Sequence, residues 1–156
     1  MFTVRKSEYL SVDDYQFGWR WTSKDHANIS VEDLNRIRPL SAREADGAWE
    51  YSKTLQGKNY AVRFVEQDEF EVDGRATPEL DDATREWLTG VLPPGNETVF
   101  ISWGKNMAVE TDLAIFLQYW DTFCYPVEDV VIWSRDEKWV LLFDYKQRFY
   151  FATKKI

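Results

Sequence analysis

The last quarter of the chain sets the tightest limit on what it can fold into. Asp129 to Ser134, Lys138 to Tyr145 and Gln147 to Thr153 are three runs rich in β-branched and aromatic residues, separated by Arg135-Asp136-Glu137 and by a tight turn near Lys146. Such runs joined by short polar turns fold as an antiparallel meander. In the middle run Trp139, Leu141, Phe143 and Tyr145 share one face, while Val140, Leu142 and Asp144 share the other. A strand that is apolar on both faces belongs at the centre of a sheet, and the expectation is that helices cover it on one side.

The preceding residues mix helix and hairpin signals without the regular alternation of a parallel α/β sheet. Phe17-Gly18-Trp19-Arg20-Trp21 alternates large rings and reads as a strand with one buried face. Ser30 is a hydroxyl N-cap followed by Glu32 and Asp33, with Leu34 and Ile37 forming a short apolar stripe before Pro39. Ser41-Ala42-Arg43-Glu44 is a capping box, opening a helix through Ala45, Ala48, Trp49 and Ser52 to about Leu55. Tyr60 to Val65 reads as a strand, Phe70 to Val72 as another, and Asp73-Gly74 as a turn. Thr77-Pro78 opens a helix carrying Leu80, Ala83, Trp87, Leu88 and Val91 on one face, closed by Pro93-Pro94-Gly95-Asn96. Glu97 to Trp103 and Met107 to Glu110 form a hairpin, and Thr111 caps a helix through Leu113, Phe116, Leu117 and Trp120. The fold class expected is α+β: an antiparallel sheet including the C-terminal three-stranded meander, packed with three to four helices, in one globular domain over residues 1–156.

Charge is unevenly distributed along the chain. The net charge is −8, with residues 1–60 neutral, residues 61–134 at −11 and residues 135–156 at +3. A phosphate backbone would be repelled by the middle segment, so nucleic acid is not expected as a partner, whereas a basic protein is. No basic start followed by an apolar run marks a signal peptide, and apolar runs such as Trp139 to Phe143 are too short to cross a bilayer. A single cysteine, Cys124, forms no intrachain disulfide and fits a reducing compartment. A cytoplasmic location is therefore expected.

The residue inventory removes most catalytic mechanisms. His26 is the only histidine, so zinc sites with two histidines are impossible and mixed sites would need more than Cys124 beside it. No Gly-x-Ser-x-Gly elbow and no glycine-rich phosphate loop is present. Glu110 and Asp112 flank Thr111 at an expected helix start and Glu128 and Asp129 open a strand, and the helix dipole and strand-edge solvation explain these acids. The run Glu66 to Gly74 lacks the ligand spacing of a calcium loop. No catalytic residue, metal ligand or cofactor is assigned.

Two features point to binding instead. Asp68, Glu69, Glu71, Asp73, Asp81 and Asp82 belong to a dense acidic segment that would steer a basic partner into place. Among eight tryptophans, Trp49, Trp87, Trp120 and Trp139 follow buried-face patterns, whereas Trp21, Trp103 and Trp133 stand near turns and are better placed for a partner surface. Trp103 completes the candidate binding set.

Two resemblances carry this further. The segment Trp21 to Trp49, with Ile29-Ser30-Val31-Glu32-Asp33-Leu34-Asn35-Arg36-Ile37-Arg38-Pro39-Leu40-Ser41, resembles the opening of a gammaproteobacterial family of similar length and unknown function. As an acidic, tryptophan-rich α+β domain, the chain is also similar in style to bacterial immunity proteins that neutralise nuclease toxins. The second likeness implies a non-enzymatic domain binding a basic toxin, and no site residue carries over from it. A small hydrolase using a carboxylate pair and a module stacking ligands on exposed rings remain as alternatives.

Overall fold

The computed structural model describes residues 1–26, 28–55, 70–76, 82–126 and 128–154. In chain order these form α1 (Trp19–Thr22), α2 (Val31–Leu34), β1 (Arg38–Pro39), α3 (Ala42–Leu55), β2 (Phe70–Ala76), α4 (Asp82–Val91), β3 (Thr98–Gly104), β4 (Met107–Asp112), α5 (Leu113–Gln118), α6 (Trp120–Phe123), β5 (Val130–Ser134), β6 (Trp139–Phe143) and β7 (Phe149–Lys154). The described strands make one seven-stranded sheet in the order β1-β4-β3-β5-β6-β7-β2, and every pairing is antiparallel. The chain is α+β, and β5, β6 and β7 are the expected C-terminal meander.

Both faces of the sheet are covered, not one. Alternation along the strands sends Val99, Ile101, Val130, Ile132, Trp139, Leu141 and Phe151 into a core with Leu88, Leu113, Phe116, Trp120 and Phe123. The residues between them, Phe100, Val131, Trp133, Val140 and Leu142, meet Ala45, Ala48 and Leu55 of α3 on the opposite side. Ala45 and Ala48 are fully buried, so their small side chains let α3 lie close over β3 and β4. Every residue of β5 and β6 is buried. A strand buried on both faces needs apolar residues at consecutive positions, which accounts for the continuous runs Val130–Ser134 and Trp139–Phe143.

The caps follow local chemistry with two departures. Ser30 Oγ accepts the Asp33 backbone N–H at 3.1 Å, as its position requires. Ser41 Oγ accepts the Glu44 N–H at 3.3 Å, but the reciprocal half of the capping box is supplied from elsewhere. The Ser41 N–H goes to the Glu8 carbonyl at 2.7 Å, and its hydroxyl donates to Glu8 Oε2 at 2.7 Å. Thr111 is not a helix cap: β4 continues through Asp112, and the Thr111 hydroxyl donates to the Arg36 carbonyl at 2.9 Å. A hydroxyl buried in a sheet needs a partner, and here it ties β4 to the chain entering β1.

Other expectations are corrected in the same way. Phe17 to Trp21 is not a strand but leads into the single turn α1, because Gly18 packs against the preceding backbone. A Cβ at Gly18 would stand 2.0 Å from the Val12 carbonyl oxygen. Asp73-Gly74 does not end a strand: β2 runs on to Ala76, with a register shift between Val72 and Gly74 opposite β7. Gly95 takes a φ of +108°, the left-handed conformation that closes Pro93-Pro94-Gly95-Asn96. The expected strand Tyr60 to Val65 and the cap Thr77-Pro78 lie outside the described residues.

Candidate functional site

The chemically distinctive residues converge at the end of the sheet where β3 finishes and β5 begins. The Gly18 N–H donates to the Tyr15 carbonyl at 2.8 Å, and the close backbone approach aims consecutive side chains of α1 in different directions. Trp21 turns inward, stacks on Tyr15 with centroids 6.0 Å apart, and donates from Nε1 to Thr122 Oγ1 at 3.1 Å. Arg20 is also buried, only 3% exposed. Its guanidinium lies 3.8 Å from the Phe17 ring centroid and 4.0 Å from that of Tyr125. Nη1 and Nη2 donate to the two carboxylate oxygens of Glu128 at 2.9 and 2.7 Å.

This arrangement combines the strongest contacts available to an arginine, a bidentate carboxylate and two aromatic ring faces. Burying a charge is costly unless it is so paired, so Arg20 is fixed in position by its surroundings. Arg20 Nε and the Tyr15 hydroxyl are both buried without a partner. Burial pushes the Tyr15 hydroxyl far above the usual phenol range, with Arg20 opposing the shift.

Trp19 takes the outward direction and is 43% exposed. Its ring meets His26 edge-on at 4.6 Å and Tyr125 at 5.9 Å. Asp121 and Asp129 are exposed beside this corner, and Asp129 Oδ1 accepts the backbone N–H of the exposed Tyr145 at 3.0 Å. The result is an aromatic surface bordered by carboxylates on a rigid base.

The sequence-expected residues divide clearly. Trp103 is half-buried in this corner: its Nε1 donates to the Phe123 carbonyl at 2.7 Å, and its ring meets Phe17 at 5.5 Å. Asp68, Glu69 and Asp81 lie outside the described residues. Glu71 stands opposite Thr153 in β2, Asp73 sits at the β2 register shift, and Asp82 opens α4. Trp21 and Trp133, expected near a partner surface, are each only 1% exposed. Trp133 packs under α3 against Phe100 and Tyr51, because its position in β5 faces inward. Sequence reasoning missed Trp19, Arg20 and Tyr125 and set Glu128 aside as a strand-edge acid; the one signal available was an arginine embedded in the aromatic run Phe17 to Trp21.

Other reactive-type groups are engaged structurally. Cys124 is buried, and burial followed by the Glu128 charge holds its thiol well above the usual range, so it stays protonated. Glu110 accepts from Arg135 Nη2 at 2.6 Å and from the Tyr9 hydroxyl, and lies 3.8 Å from Arg38 Nε. Asp112 takes Arg36 Nε at 2.7 Å and lies 3.7 Å from Arg38 Nη2. The two acids flanking Thr111 are thus held by arginines. Among the described residues no cluster of histidine, cysteine and acids is placed to hold a metal ion, and no helix is long and apolar enough to cross a membrane.

Fold and site together define an α+β domain built on an antiparallel sheet with an aromatic, arginine-centred corner. A family model described as a protein of unknown function (DUF2947) matches residues 9–151, and the chain belongs to that family. No curated protein and no solved structure matches it.

Proposed function

We propose that this is a non-enzymatic protein-binding domain for a basic partner and, in its sharpest form, a bacterial immunity protein that neutralises a basic toxin. The observation that carries this reading is the Trp19 corner. An exposed tryptophan set against a tyrosine, on a base immobilised by Arg20 and Glu128, is pre-organised as an interface anchor. Little side-chain entropy remains to be lost there on binding.

Charge supports the same partner. Asp121 and Asp129 border the corner, and residues 61–134 carry −11. The acidic set Asp68, Glu69, Glu71, Asp73, Asp81 and Asp82 would attract a basic protein at long range, while the aromatic corner would hold it. Cys124 remains a buried thiol, which fits a reducing cytoplasm. The paired carboxylates are occupied by arginines and a backbone N–H, which weighs against the hydrolase alternative.

The test is association with a panel of purified basic nuclease-toxin domains at low and high salt, with lysozyme as an unrelated basic control. Charge reversal to lysine at Asp68, Glu69, Glu71 and Asp73 should abolish the salt-sensitive part of toxin binding. Unchanged association of that variant at both salt concentrations would remove the acidic segment from the account.

A further inference from the structure

A second recess lies at the opposite end of the same strands, where β3 and β6 begin and β5 and β7 finish. It encloses about 480 Å³, within the range of small-molecule sites. Pro93 and Pro94 line it, and the nearly buried Trp139 and Phe151 line it at the end of the sheet, which is taken as its floor. The two rings come from neighbouring strands, 6.1 Å apart, and are only 2% and 4% exposed, so the floor is fixed by the core behind it.

The polar groups at this recess are unequal. Trp139 Nε1 donates to Glu97 Oε1 at 2.8 Å, which ties the carboxylate to the recess, and no hydrogen bond to Oε2 is made among the described residues. Lys138 Nζ is 2.7 Å from Asp136 Oδ2, and this pair cancels locally. Lys138 also feels the Glu97 charge, but as a weaker influence than Asp136. The recess therefore combines ring-shaped apolar surfaces with one oriented carboxylate oxygen and a net negative charge.

We propose that this recess binds a small organic cation bearing a ring, of the aralkyl-ammonium class. The ring packs between the prolines and the Trp139–Phe151 floor, and the ammonium donates to Glu97 Oε2. A carboxylate ligand of the same shape is repelled by Glu97, and a neutral one gains only the apolar contact. This inference is independent of the basic-protein reading, since the recess and the Trp19 corner lie at opposite strand ends.

The experiment titrates phenethylamine, 3-phenylpropionate and benzyl alcohol separately into the full chain, following indole N–H signals by heteronuclear NMR. Trp139→Phe identifies the Trp139 signal. The expected result is a saturable shift of that signal with phenethylamine, no saturable shift with 3-phenylpropionate, and weaker binding of benzyl alcohol. Glu97→Gln, which keeps an acceptor for Trp139 Nε1, should weaken phenethylamine at least about tenfold. Absence of a saturable shift at millimolar phenethylamine, equal binding of the acid, or indifference to Glu97→Gln would each overturn the proposal. The ligand comparison uses the unaltered protein, so it decides the matter even if a variant folds poorly.

Discussion

Arg20 and Glu128 stand 108 positions apart in the chain and meet through two hydrogen bonds, with the guanidinium carbon over the rings of Phe17 and Tyr125. This pair joins the N-terminal turn α1 to the start of β5. Arg20→Met should cost about 3 kcal/mol, because it leaves a partly buried carboxylate without its partner. Glu128→Gln should cost at least as much, since it leaves the Arg20 guanidinium, only 4% exposed against 22% for the Glu128 side chain, buried without a counter-charge. Chemical denaturation of the two single variants and the double variant measures this, and the double variant should be more stable than the sum of the single losses implies.

Gly18 and Gly47 should respond in opposite directions to alanine. At Gly18 the added Cβ would fall 2.0 Å from a backbone oxygen, which cannot move aside without unfolding the preceding turn. At Gly47, inside α3, the nearest atom outside the helix backbone to an added Cβ is Phe2 Cε2 at 3.6 Å, an ordinary contact. Gly18→Ala should lower the unfolding midpoint strongly, and Gly47→Ala should raise stability by about 0.5–1 kcal/mol through helix propensity.

Tyr9 links the N-terminal segment to β4 through Glu110. Burial, then the Glu110 hydrogen bond, pushes its hydroxyl up to about 12 from an ordinary 10.0. The folded state thus favours the protonated phenol. The contribution is fully present below pH 10 and is lost as pH rises through about 12. Ultraviolet titration of tyrosinate should show a late-ionising group that Tyr9→Phe removes, and the variant should lose less stability across that interval.

Cys124 should be unreactive in the native protein. Its thiol is buried and held protonated, so a thiol reagent at mildly alkaline pH should label it only at the rate of unfolding. Rapid labelling in the absence of denaturant would contradict its placement.

The meander was legible because β5, β6 and β7 are adjacent in sequence and pair with their neighbours through short turns. The Ser30 cap was legible for the same reason, since its partner is three residues away. What escaped reading depended on distant contacts. The ring alternation of Phe17 to Trp21 fits a strand until Gly18 is found against the Val12 carbonyl. Thr111 looks like a cap until its hydroxyl is found on Arg36. Trp133 stands near a turn in sequence, yet its face of β5 lies under α3. In the candidate site, Trp103 lies beside Phe17 and Phe123 as a half-buried support. Arg20 signalled only as an arginine inside an aromatic run, because its partner is far along the chain, and Trp19 could not be told from Trp21 without the direction of α1.

On the proposed reading an anchored aromatic corner holds a basic partner, and Trp19 is the residue to alter because its ring is exposed at the surface of that corner. Calorimetric titration should compare the unaltered chain with Trp19→Ala against the toxin domain that binds most tightly in the panel. The account predicts an unfolding free energy within about 1 kcal/mol of the original and an affinity at least about tenfold weaker. An unchanged affinity with unchanged stability would contradict the corner as the binding surface.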